Sequence, residues 1–414
     1  MKKINNLLIF VISVVGFIPF AFLVPFTRAW GIVAMVIWIL LRLITFAIER
    51  AGKISLYELT GYSFLIYVVI VSYVSGNEML AHRYIELFGM FVLYFSSSTT
   101  DKRAKYSWPL ILIFLILATI AYGTTVSELF SNPFAARSIK TSDTDTIDLL
   151  SRGVGGYSFI YGFAFAGLIS IGLFLTDLMN GDPSLPRRYL VSMFFGYLLA
   201  LLLAVLANYL TAIIMLIVSP LIIVAAFSVR KMSSSSFAIL SIAIVLSIVF
   251  WKPLLLIVDD VITSILGVSW TSERIQMIFG FLAQGDSMED LTGARAGLSQ
   301  ISWRSALDNP LGGLVLTSYV FANDQFEMIG QHSFILDTAA AFGFPVASVL
   351  VYLIVMPFLR IVRTNRGLGR WLSIVVMFFT LIFFIINNAT ISIGIAVYYL
   401  FPRLIHLTLR RRML

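Results

Sequence analysis

Runs of about twenty apolar residues recur along the whole chain, each long enough to cross the hydrocarbon core of a bilayer as a helix. The composition agrees: 59% of the 414 residues are hydrophobic and only 12% are charged, where soluble domains carry about a quarter charged residues. A formal charge of +8 would by itself fit a nucleic-acid partner. The apolar runs exclude that. The chain reads as an all-α, polytopic integral membrane protein, one membrane domain over residues 1–414.

Twelve spans are expected, near residues 4–24, 30–48, 57–74, 84–98, 108–126, 157–177, 189–207, 209–229, 237–257, 333–358, 371–387 and 391–407. The pair meeting at Asn208 is tight, and the last two spans meet at Asn387-Asn388-Ala389-Thr390. The Lys2-Lys3 pair followed by an apolar stretch has the look of a signal peptide. No small-x-small cleavage site follows, only Pro25-Phe26-Thr27-Arg28, so a retained first helix is expected. Cysteine is absent, which removes disulfides, thiolate metal sites and thiol nucleophiles.

The charges orient this layout. With the N-terminus inside, the cytoplasmic segments hold eighteen basic residues against five acids, and the outer segments nine against fourteen. That distribution obeys the positive-inside rule and places both termini in the cytoplasm. Two connections are long, and both fall outside: a first outer loop over 127–156 and a large outer loop over 258–332. Residues 259–281 and 293–307 have apolar positions at roughly helical spacing, and Asp308-Asn309-Pro310 supplies a stop and a turn. Short amphipathic helices on the outer surface are expected, capping something beneath.

Chemistry-bearing residues are few enough to weigh one at a time. His406, beside Arg410-Arg411-Arg412, and His82, before Arg83, read as interfacial residues. His332 closes the long outer loop in Gly330-Gln331-His332-Ser333, directly before a span, with Asp337 about a turn and a half further on. A neutral imidazole there can take a proton from a hydroxyl, or it can simply open a helix near the headgroups. Arg152 lies among glycines in Ser151-Arg152-Gly153-Val154-Gly155-Gly156-Tyr157. Arg295 opens a predicted loop helix, and Arg304 sits about 180° around it. Outer arginines suit a lipid pyrophosphate or ordinary phospholipid headgroups. Arg42, Glu86 and Asp337 lie within spans and need partners or water. Arg83 and Glu86 are spaced to pair on one helix face, and Asp337 can orient His332 or hold a neighbouring helix. Asp143, Asp145 and Asp148, with Asp259-Asp260 in the other loop, fit either a hard divalent cation or a solvated loop. No Walker-type phosphate loop, zinc His-Glu-x-x-His or Gly-x-Ser-x-Gly elbow is present.

The run from 293 to 343 resembles the O-antigen ligase and polymerase superfamily of bacterial polysaccharide assembly. Arg295 follows a small residue, Pro310 and Gly312-Gly313 come next, His332-Ser333 opens a span, and Gly343 follows at the family's spacing. Arg152, Gly155-Gly156-Tyr157 and Tyr161-Gly162 resemble the family's second arginine-bearing region. The likeness covers chiefly residues 150–360. The chain departs from the pattern at Ala294, Ser299 and Val315, so Arg295 and Arg304 both stay candidates.

The resemblance implies a metal-independent membrane glycosyltransferase without cofactors, with a glycosyltransferase C-like fold, in the bacterial inner membrane. His332 would be the base, and Arg152, Arg295 and Arg304 would bind the pyrophosphate of an undecaprenyl-pyrophosphate-linked glycan. Asp337, Tyr157, Arg83 and Glu86 would support them. A repeat-unit polymerase of O-antigen or related polysaccharide is expected, with an acceptor glycan and a chain-length regulator as partners. A ligase acting on lipid A–core is the first alternative. A twelve-span secondary transporter is the second, although the short connection at 179–188 and the large outer elements fit it less well.

Overall fold

The structure, a computed structural model, describes residues 2–19, 25–49, 55–76, 78–98, 108–132, 135–139, 144–179, 185–231, 294–316, 329, 333–364 and 368–405. About 89% of these residues are helical and none forms a strand. The fold is all-α.

Helix α1 (Lys2–Phe17) stops short of the expected 4–24 span. Pro19 explains this, since it lacks the N–H needed to continue the ladder and its ring clashes with the carbonyl four residues back. Helix α2 (Pro25–Glu49) begins on a proline, pre-set for a first helical position. Helix α3 (Leu56–Val74) is capped by Ser55, whose Oγ accepts from the Glu58 N–H at 3.2 Å. Helices α4 (Glu78–Ser98) and α5 (Trp108–Ser131) follow, and α5 runs five residues past its expected end. The segment 127–156, expected as the first outer loop, is therefore partly helical, with short α6 (Ala135–Ser138) and α7 (Thr144–Ser151) within it.

Helices α8 (Tyr157–Met179), α9 (Arg187–Leu206) and α10 (Leu210–Lys231) come next. Asn208 makes the tight α9–α10 turn at φ +57°, a conformation asparagine tolerates better than most residues. The expected span at 237–257 and the helix at 259–281, with Asp259-Asp260, lie outside the described residues. Helix α11 (Ala294–Asp308) matches the second predicted loop helix, and Asp308-Asn309-Pro310 ends it as expected. Helix α12 (Phe334–Thr364) is broken at Gly343, and α13 (Leu368–Ile386) returns to the Asn387–Thr390 turn. Helix α14 (Ile391–Gly394) runs straight into a π-helical stretch, Ile395–Leu400.

Among the described residues six helices are long and apolar enough to cross a membrane, namely α3, α5, α8, α9, α12 and α13, and four shorter apolar helices accompany them. Their burial separates centre from rim. In α8 72% of the apolar window is buried, against 22% in α5 and 28% in α9. Leu112, Leu115, Ile116 and Ile120 on α5, and Val191, Phe195 and Leu199 on α9, stay exposed, an apolar coat that water would penalise and lipid tails would not. Glycines let α8 sit at the centre: a Cβ at Gly167 would come within 2.5 Å of Ala200, and one at Gly172 within 2.2 Å of Leu372. Helices α4, α8, α12 and α14 all begin at one end of the bundle, where Arg83 meets Asp337 and Tyr157 meets Asn388.

Candidate functional site

The start of α12 is the most densely bonded point at that end. Ser333 caps the helix by accepting the Leu336 N–H at 3.1 Å, and donates its own proton to the Ile385 carbonyl. The Phe334 N–H reaches the Asn387 carbonyl at 3.2 Å, so α12 and the α13–α14 turn are fixed to each other. Asp337 lies in the first turn, where a carboxylate is favoured by the helix dipole, and it is almost fully buried. Its Oδ2 accepts from Arg83 Nη1 at 3.2 Å and from the Ser333 N–H at 3.1 Å, and its Oδ1 accepts from Ser302 Oγ at 2.7 Å. One carboxylate thus joins α4, the loop helix α11 and the start of α12. A buried carboxylate is tolerable only with such partners. Next to it, Thr338 gives its proton to the Phe334 carbonyl, which makes Tyr84 the donor in the 2.8 Å Tyr84–Thr338 bond. Of the two roles open to Asp337, holding neighbouring helices is the one the structure displays.

Six residues further on, the backbone itself forms a clasp. Gly343 has φ +83°, which breaks the helical ladder, and the Phe344 N–H turns to the Pro310 carbonyl at 2.8 Å. Gly313, at φ +61°, faces it from the α11 side. A Cβ on Gly313 would lie 2.4 Å from the Ala341 carbonyl, and one on Gly343 would lie 2.6 Å from Leu311 backbone. Trp303 packs edge-on against Phe344, with ring centroids 6.1 Å apart. The widely spaced Pro310, Gly313 and Gly343 are therefore in contact, and they dock α11 along the first half of α12.

His332 lies outside the described residues, as do the side chains of Arg295, His82, Arg42 and Asp145; Asp143 and His406 are also outside them. The backbone of Arg295 begins α11, and Arg304 is exposed on the same helix. Arg83 interacts electrostatically with Asp337 first, then with Glu86 and Tyr157. The expected Arg83–Glu86 proximity holds, but Arg83 spends its hydrogen bond on Asp337. Tyr157 opens α8, donates to the Asn388 carbonyl at 3.4 Å and stacks edge-on against Tyr161 at 4.7 Å.

Arg152 sits in a different setting. Its guanidinium is half exposed and pairs with Glu128 and Asp148, both at 3.0 Å. The turn that carries it is built from Gly153 at φ +82°, with the Gly155 N–H on Thr125 Oγ1 at 2.7 Å and Thr124 Oγ1 on the Gly153 carbonyl at 3.0 Å. Asp148 thus serves Arg152, and no cluster of three metal-ligating side chains occurs among the described residues.

Sequence reading missed Ser302 and Thr338. A serine in a helix interior, where it is a mediocre helix former, was the available signal for Ser302. Thr338 gave none. No protein-family model matches the chain, and no curated protein matches it.

Proposed function

We propose that the protein is a bacterial polysaccharide repeat-unit polymerase, a multi-pass glycosyltransferase that moves a glycan from undecaprenyl pyrophosphate to the end of a lipid-linked acceptor glycan. On this reading it lies in the inner membrane with about twelve spans in a glycosyltransferase C-like arrangement. Both termini are cytoplasmic, and the α12 start faces the periplasm. The observation that carries the reading is the meeting in space of the spaced elements of the family likeness. Helix α11, which begins with the Arg295 segment, is tied to the α12 start by Ser302–Asp337 and by the clasp of Pro310 and Gly313 on Gly343. His332 immediately precedes Ser333, the cap of that helix.

The chemistry follows from the residue types. His332 takes the proton of the acceptor hydroxyl as its oxygen attacks the anomeric carbon with inversion. The bond from that carbon to the pyrophosphate oxygen breaks, and the electron pair leaves with the pyrophosphate. Arg295 or Arg304, with Arg152, faces the charge developing there; preorganised cations at such a point lower barriers by several kcal/mol. A base near its working pKa adds about 10²–10⁴ in rate. A chain-length regulator fits as partner.

The test is a surface-polysaccharide gel of a deletion strain complemented with His332→Ala. Loss of the ladder with one repeat unit still attached is the expected result. Loss of all attached glycan, with polymer left on the lipid carrier, would mark a ligase instead. An unchanged ladder would sink both.

A further inference from the structure

Beside the α12 junction a cavity of about 240 Å³ opens between the end of α1, the middle of α4, the start of α8 and the turn before α14. It is smaller than pockets for drug-sized ligands, which run from about 300 Å³ upward. At about 30 Å³ per water it holds roughly eight waters or one small ring. Its polar lining is Glu86, Tyr157, Ser158 and Thr390, and its apolar lining includes the rings of Phe17 and Phe159.

The hydrogen-bond directions restrict what can enter. Ser392 gives its proton to the Gly16 carbonyl at 2.6 Å, so in the 3.0 Å Ser158–Ser392 bond it is Ser158 that donates. Tyr157 donates to the Asn388 carbonyl. Each hydroxyl has one proton and has already given it, so neither can donate to an occupant, and Glu86 adds carboxylate oxygens to the wall. Thr390 lines the cavity and carries a buried hydroxyl with no hydrogen-bond partner among the described residues. Buried polar groups left unsatisfied in this way are rare in folded proteins. Such a wall disfavours phosphate and other anions, which bring no protons. It favours a ligand with several O–H donors. A second cation has less to gain, because Arg83, one turn from Glu86, already interacts with that carboxylate. Aromatic rings beside acceptors suit the apolar C–H face of a sugar ring.

We infer that this cavity is a subsite for one neutral, hydroxyl-bearing ring, a single monosaccharide unit, selected by Glu86, Ser158 and Thr390. The inference rests on the glycosyl-transfer reading for its biological meaning, since it places one unit of the glycan within reach of the α12 start. The Arg83–Asp337 pair links the two: Arg83 lies one turn from Glu86 on α4, and Asp337 bonds the Ser333 N–H.

The test uses the full chain in lipid nanodiscs and saturation-transfer NMR. The probes are the methyl glycosides of glucose, galactose, mannose and N-acetylglucosamine, with glucose 6-phosphate as the anionic counterpart. At least one methyl glycoside should receive saturation and glucose 6-phosphate should not. Glu86→Gln should weaken the retained glycoside about tenfold, as expected for loss of a hydrogen bond to a charged group. Ser158→Leu, or Leu150→Trp if that chain does not fold, should abolish the signal by filling the space. No signal with any neutral glycoside overturns the subsite, as does an undiminished signal in a folded cavity-filling variant or a stronger one with the phosphate. The two proposals fail separately. Glycoside binding with an unchanged ladder in His332→Ala removes the transferase reading and leaves the subsite. A lost ladder with no glycoside binding does the reverse.

Discussion

Two arginines at the same end of the bundle are paired with carboxylates in opposite ways. Arg83 and Asp337 are buried, at 12% and 3% side-chain exposure, and Asp337 is also bonded to Ser302 and the Ser333 N–H. Arg152 is 50% exposed and shares two acids, of which Asp148 is itself 66% exposed. In the first setting the charges have left water and cannot separate without stranding one of them. In the second, water screens Arg152 and Asp148, and that pair is worth little, while Glu128 is 18% exposed. The buried pair is therefore architecture. The exposed one holds a guanidinium that can exchange its carboxylates for a phosphate, and this is the property the proposed reaction asks of Arg152.

Substitutions can break this contrast. The largest effect is expected at Asp337→Ala, which strands Arg83 and two further donors and should cost about 3–5 kcal/mol. It should read out as a large fall in the thermal midpoint of the detergent-solubilised protein; a fall no greater than that of a surface variant would mean the pair is not buried in the membrane. Ser302→Ala removes one charge-assisted bond between α11 and α12, about 1.5–3 kcal/mol. It should open the α11 segment to limited proteolysis before the bundle melts, and unchanged cleavage would refute the docking role. Glu128→Gln should be smallest, at most about 1 kcal/mol. It should leave the midpoint near wild type while tightening inorganic pyrophosphate binding by releasing Arg152, and weaker binding would show the acid to be part of the anion site.

Much of the architecture was readable along the chain. Apolar runs located the helices because the requirement that a helix in lipid be apolar acts residue by residue. Asp308-Asn309-Pro310 and Asn208 marked a stop and a turn because their backbone preferences are local. Pro19 carried the same kind of signal, yet the apolar residues after it concealed the early end of α1.

The site was legible only as scattered parts. Arg83 and Asp337 stood out as charges in or beside apolar spans, but the sequence paired Arg83 with Glu86, its neighbour along one helix. Asp337 is 254 residues away, and its pairing with Arg83 depends on α4 and α12 being packed side by side. Ser302 likewise had no visible partner until α11 was laid on α12. By itself the sequence determined where most of the long helices among the described residues lie and that their apolar faces suit lipid, because those follow from local chemistry. Which charge neutralises which, which glycines touch, and where a cavity remains were decided by packing alone, since these depend on distances between segments that no local preference encodes.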